Sequence, residues 1–159
     1  MAQLPIRQPE WIPAAPVVVR RERHVDAPAS AVWRHIADHE TWPEWFPGLK
    51  RVEVPGSREG VGGQRLVSVP GATVGEVFTA WDPDARFAFA VVAAPRVLAS
   101  MAESVVIAAD GDSCDVTYTI GIEPATGFGW FWRLAAGRMA RMLERALVNL
   151  AERAEREPA

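Results

Sequence analysis

From Thr126 to Glu157 the chain contains no proline, and its apolar residues recur at three- and four-residue spacing. Phe128, Phe131, Trp132, Ala135, Met139, Met142, Ala146 and Leu150 form one stripe, which Leu143 and Leu147 widen. Arg138, Arg141, Arg145 and Glu152 fall largely on the other side. The spacing predicts one amphipathic helix from about Thr126 to Arg156, with Pro158 past its end. A helix of about 30 residues spans roughly 45 Å, enough to cross a whole sheet. Its apolar stripe must be covered by a second layer, so it constrains everything before it.

What precedes it reads as sheet. PVVVRRERHV, from Pro16 to Val25, has the valine run and alternation of a strand. Between Leu49 and Pro124, six segments have strand character: LKRVEV, GQRLVSV, ATVGEVFTAW, RFAFAVVA, VLASMAESVVIA and CDVTYTIGI. PGSREGVG, PGA, DPDA, APR and DGDS separate them and supply turn conformations. In DAPASAVWRHIADHE, Val32, Trp33, Ile36 and Ala37 share a helical face, with Asp26 or Ser30 as the expected cap. TWPEWFPG, at 41–48, predicts a short helical turn between Pro43 and Pro47.

Residues 1–15 carry Pro5, Pro9 and Pro13 and predict an extended N-terminal arm, pinned by Trp11 and Ile12. Residues 16–157 are expected to form a single domain in the order β-α-α-β6-α. A sheet of about seven antiparallel strands must bury one face, and only the last helix is long enough to cover it. Such sheets twist, so this one is expected to curl around the helix in an α+β fold and leave an apolar cavity between them.

Charge and composition exclude several classes. The 159 residues include 17 basic and 20 acidic ones, a net charge of −3. That balance lacks the basic field that nucleic acid or an anionic membrane selects, although arginines cluster locally near the C-terminus. Cys114 is the only cysteine, so no intramolecular disulfide can form, which fits a reducing compartment. The first residues lack the apolar core of a signal peptide, and no run of about 18 apolar residues occurs. A cytoplasmic protein without stable membrane insertion is expected. Seven tryptophans offer large rigid surfaces that can wall a pocket.

Three stretches, in this order, resemble one superfamily. DAPASAVW at 26–33 resembles its usual APxxxVW start of the first helix. DHETWPEWFPGLKRVEV at 38–54 resembles its Trp-Pro-x-Trp turn and second strand. VFTAWDPDARFAF at 77–89 resembles its strand, Asp-Pro turn and strand. The chain is thereby similar, over about Pro16 to Arg156, to the START-like (SRPBCC, Bet v 1-like) helix-grip superfamily and its polyketide cyclase/dehydrase-like branch. The resemblance implies a deep apolar cavity for a lipid, polyketide, quinone or other hydrophobic small molecule. It implies no reaction, since a fold hosts many functions.

The expected cavity residues are Trp33, Trp45, Phe46, Phe78, Phe89, Met101, Glu103, Tyr118, Trp132, Ala135, Met139 and Met142. Methionines adapt their shape to varied ligands, and equally fill cores. Trp33, Trp42, Trp45 and Phe46 are either an aromatic gate at one end of the cavity or a packing cluster. Glu103 alternates with Met101, Val105 and Ile107 and so points inward, unless a bulge turns it to water. A carboxyl in an apolar cavity has a raised pKa and can exchange protons. Glu76, between Val74 and Phe78, poses the same choice. Tyr118 alternates with Val116, Ile120 and Ile122, so its hydroxyl either orients a ligand or bonds a backbone group. Glu103 and Tyr118 are thus the candidate catalytic groups.

Other features point to nothing specific. His35 and His39 have a metal-ligand spacing on a helix but no evident third ligand, so a solvated helix end and no metal are expected. Cys114 lacks a histidine partner for a catalytic thiol. GVGG at 60–63 lacks the lysine of a phosphate loop, so no nucleotide or other cofactor is expected. Three functions remain: binding of a hydrophobic small molecule, a polyketide cyclase or dehydratase using Glu103 and Tyr118, and a protein-interaction module on the arginine-rich helix face.

Overall fold

The computed structural model of the protein describes residues 1–157, and Pro158 lies outside them. Its elements are β1 (Ala2–Gln3), β2 (Val17–Val25), α1 (Ala29–Ala37), α2 (Trp42–Trp45), β3 (Arg51–Glu53), β4 (Gln64–Val69), β5 (Ala72–Asp82), β6 (Arg86–Ala94), β7 (Leu98–Asp110), β8 (Ser113–Pro124) and α3 (Gly129–Glu155). The strand order is β2-β8-β7-β6-β5-β4-β3, every pairing is antiparallel, and β1 adds an eighth, two-residue strand against β6. The two short helices carry the chain from one edge of the sheet, β2, to the other, β3.

The curved, unclosed sheet faces the long helix. Leu143, Ala146, Leu147 and Leu150 of α3 are buried in the same core as Val19, Val25, Val116 and Ile120 of β2 and β8. This apolar contact removes the stripe from water, the main favourable contribution to holding the layers together. α1 adds Val32 and Ile36 to that core. Neither Asp26 nor Ser30 caps α1, contrary to expectation. The Asp26 backbone N–H instead donates to the Glu155 carboxylate at 2.8 Å, tying the start of α1 to the end of α3.

The N-terminal arm is not extended throughout, because Pro9–Ala14 forms a 3-10 helix. Ile12 is buried, and its backbone lies against Gly121, where a Cβ would meet the Ile12 Cα at 3.1 Å. Gly121 lies between the buried Ile120 and Ile122, so this contact is on the opposite face of β8 from theirs. The arm therefore packs on the outer face of the sheet and leaves the inner face to α3.

The glycine-rich turn has a packing role. A Cβ on Gly63 would stand 2.5 Å from the Phe78 ring and 2.8 Å from the Ser57 carbonyl oxygen. Gly63→Ala is therefore expected to cost about 1–3 kcal/mol through overpacking, read as a lowered urea midpoint. An unchanged midpoint would show that Phe78 yields freely.

Candidate functional site

The inner face of the sheet and the N-terminal half of α3 enclose a cavity of about 320 Å³, within the range of small-molecule sites. Its lining runs from a rim at Pro70, Ala72, Pro95, Val97, Trp132 and Met139 to a deep end at Arg65, Glu76, Phe89, Glu103, Tyr118 and Ile120. The rim residues are partly or fully exposed and the deep ones buried. Trp132 is fixed at the rim because its Nε1–H donates to the Val97 carbonyl at 2.8 Å. Most of the wall is apolar. The exceptions are four polar side chains gathered at the deep end.

Two of these form a cross-strand ion pair. Arg65 on β4 stands directly opposite Glu76 on β5, and its Nε donates to Glu76 Oε2 at 2.5 Å. The pair is almost wholly dry, with side chains 1% and 5% exposed. The guanidinium also lies over aromatic faces, 4.1 Å from the Trp42 ring centre and 4.6 Å from that of Phe89. His39 Nε2–H donates to the Arg58 carbonyl at 2.9 Å, since a carbonyl can only accept. Its Nδ1 is then the lone-pair nitrogen, 3.5 Å from Arg65 Nη1. Burial pushes His39 down to about 4, so it is neutral at ordinary pH.

The other two lie on β7 and β8. Glu103 is buried, and the Tyr118 hydroxyl donates to its Oε1 at 3.0 Å. Burial, reinforced by the nearby Glu76 charge, pushes Glu103 up to about 8. Burial raises Glu76 as well, against the pull of Arg65. Of the two carboxyls, Glu76 has the guanidinium in direct contact and is the ionised one. Glu103 has only a hydroxyl partner and holds its proton at neutral pH. Burial and the Glu103 charge likewise raise Tyr118 well above the ordinary phenol range, so it remains a donor.

Of the residues expected around the cavity, Phe46, Phe89, Met101, Glu103, Tyr118, Trp132, Met139 and Met142 lie on its wall. Glu103 faces inward because the β7–β8 irregularity falls between Leu98 and Ser100, before Met101, and the register is continuous beyond it. Trp33, Trp45, Phe78 and Ala135 are not on the wall. Trp33 packs edge-on to Trp81, Trp45 against Trp42 and Phe46, and Phe78 stacks on His39. Trp33 thereby holds α1 on the sheet and Phe78 holds His39, while Trp42 fixes α2 there through Phe87 and Phe89. Ala135 is half-buried on α3 and does not line the cavity.

Further expectations need correction. His39 is not at a solvated helix end; it is fully buried among Phe78, Trp81 and Phe87. Phe128 and Phe131 do not join the buried stripe of α3 and are exposed. Arg65 is a wall residue that sequence reasoning misses, although it alternates with Val67 and Val69. Within the aromatic turn, Trp42 and Phe46 reach the wall, and Trp45 does not. Cys114 is buried and pushed up to about 11, so at neutral pH it is an inert thiol.

A curved antiparallel sheet gripping a C-terminal helix over a cavity is the arrangement of START-like, helix-grip proteins. The chain belongs to the polyketide cyclase / dehydrase and lipid transport family, whose sequence profile matches residues 16–155. Among curated proteins no sequence matches significantly. The aromatase/cyclase Zhui from Streptomyces sp. R1128 has a similar structure, with a TM-score of 0.69 at 21% identity, covering 88% of this chain and 94% of that one. A START superfamily protein from Mycobacterium smegmatis aligns with a TM-score of 0.67 at 19% identity, over 85% of this chain and 97% of that one. A protein from Thermus thermophilus is 25% identical, with a TM-score of 0.67 over 87% of this chain and 97% of its own.

Proposed function

We propose that the protein binds a hydrophobic small molecule of aromatic or polyketide-like type, with a carbonyl or hydroxyl of that molecule directed to Glu103 and Tyr118. The observation that carries this reading is the segregation of the cavity, apolar from the rim inward and polar only at its deep end. Affinity comes from burying the ligand's apolar surface, and the protonated Glu103 sets its orientation. Met142 projects into the cavity from α3, so Met142→Trp fills space that the ligand needs. It is expected to weaken binding about tenfold or more, measured by native mass spectrometry against a panel of fatty acids, quinones and aromatic polyketides. A wild-type protein that binds none of these, or a Met142→Trp variant that binds as well, sinks the proposal.

A second reading is favoured by the hydrogen bond between Glu103 and Tyr118 inside a water-poor site. A carboxyl that titrates near neutrality is suited to general acid–base work. In the dehydration of a β-hydroxy carbonyl compound, the ionised fraction of Glu103, which grows as pH rises towards 8, takes the α-proton and then returns it to the departing hydroxyl. Water leaves, a carbon–carbon double bond forms, and Glu103 ends in its starting state. Turnover that disappears in Glu103→Gln while binding persists would separate this enzyme from a carrier.

A further inference from the structure

One surface feature is not used by the cavity. Trp130, Leu134, Arg138, Arg141 and Arg145 follow one another on α3 at three- and four-residue steps and so share a face. All five are exposed, and Trp130 and Leu134 are 64% and 75% accessible. The exposed Phe131 flanks them and meets the Trp130 ring edge-on at 6.2 Å. A large aromatic and a leucine side by side in water are costly unless something covers them.

Over the N-terminal half of α3 the charges of this face are of one sign, and Glu144, which follows it, is already met by Arg21 and Arg23. Between Thr126 and Leu143 the sequence carries Arg133, Arg138 and Arg141 and no acidic residue. Among the described residues, none of these three nor Arg145 makes an ion pair, whereas Arg21, Arg23 and Arg153 each face a glutamate. A second copy of the chain is a poor occupant, because a two-fold contact would bring this arginine face against itself. An anionic bilayer fits both halves of the surface. Trp, Phe and Leu suit the interface, and arginines reach the phosphates beside them.

The position of the patch supports the same occupant. Phe131 packs edge-on at 5.3 Å against Trp132, whose side chain lines the cavity rim. Aromatic surface therefore continues from the rim to the outside of the helix. Exposed Pro95 and Arg96 lie beside it in the loop whose Val97 holds Trp132.

We infer that the outer face of the N-terminal half of α3 docks the protein on an anionic lipid bilayer. Trp130, Phe131 and Leu134 enter the interface, and Arg133, Arg138 and Arg141 engage lipid phosphates. This is peripheral binding, since no helix among the described residues is long and apolar enough to cross a membrane. It places the cavity rim next to the membrane, where apolar molecules concentrate. That consequence rests on the cavity reading, while the docking itself does not.

The test is co-sedimentation of the full chain with phosphatidylcholine vesicles, with and without phosphatidylglycerol, and with no other ligand added. Binding to the anionic vesicles is expected, weakening as salt is raised. Trp130→Ser/Leu134→Ser and Arg138→Glu/Arg141→Glu are each expected to lower it about tenfold or more. All four positions are exposed, so circular dichroism and thermal melting of both variants should match the parent. Absence of binding to anionic vesicles overturns the inference. So does binding that both variants leave unchanged. A dimer in size-exclusion chromatography that Trp130→Ser/Leu134→Ser dissolves, with vesicles ignored, also overturns it and assigns the patch to a second copy.

Discussion

Glu76→Ala is expected to destabilise the fold by about 3–5 kcal/mol, the usual cost of leaving one member of a buried ion pair alone. In the variant Arg65 is left as a buried cation without its carboxylate. Its remaining support is the Trp42 and Phe89 rings and the neutral His39. Ring faces offset only part of a lost carboxylate. The double variant Arg65→Met/Glu76→Leu removes both charges and keeps the volume, so it is expected to lose far less, or to gain stability. Urea unfolding of the three proteins checks this. Equal losses in the single and double variants would mean that the pair matters for packing and not for charge. Glu76→Ala should also shift Glu103 downward, because the nearby Glu76 charge is gone and Arg65 is left to attract it.

Much of this architecture is legible in the residues, and the reasons differ from part to part. The 3.6-residue period of α3 survives the whole helix, so its buried Leu143, Leu147 and Leu150 can be read directly. Alternation along β7 and β8 places Glu103 and Tyr118 on the inner face, because the one irregularity there lies at the start of β7. Periodicity cannot say how far a covering layer extends, however. It assigns Phe128 and Phe131 to the buried stripe, yet the sheet does not cover the first turns of α3. Apolar character also misleads at β4, where Leu66 is exposed and Arg65 faces the cavity. Arg65 can point inward only because Glu76 stands opposite it, and cross-strand register is a tertiary fact. The same holds for His39, which is buried because Phe78, Trp81 and Phe87 converge on it from strands distant in sequence.

Glu103→Gln is expected to remove most of the protein's pH dependence above neutrality, in stability and in ligand binding together. The wild-type carboxyl has its folded pKa raised from the ordinary 4.5 to about 8 by burial and then by Glu76. A raised carboxyl makes the folded state hold its proton longer than the unfolded chain does. Its stabilising contribution is therefore full below about 4.5 and is lost as pH rises through about 8. His39 has the opposite sign: its pKa is lowered from 6.5 to about 4, so its contribution is full above 6.5 and lost as pH falls through about 4. The two slopes oppose each other between about 4.5 and 6.5; above 6.5 Glu103 acts with the exposed His24, which its hydrogen bond to Asp115 raises and whose solvent-screened loss has the same sign. Wild-type stability should thus fall by about 2 kcal/mol between pH 6.5 and 9, about 1.4 for each pH unit from 6.5 up to the folded pKa of about 8. The groups facing Glu103 in this range are Glu76 and Arg65, which stay paired, and Tyr118, which stays protonated. The glutamine introduced by Glu103→Gln keeps a hydrogen-bonding partner for Tyr118 without a titrating proton, so the variant's urea midpoint should be nearly flat across the interval. Parallel wild-type and variant curves would show that Glu103 is ionised throughout. A carboxyl ionised at neutral pH would also orient a ligand's hydroxyl but repel its carbonyl, and the ligand panel would divide accordingly.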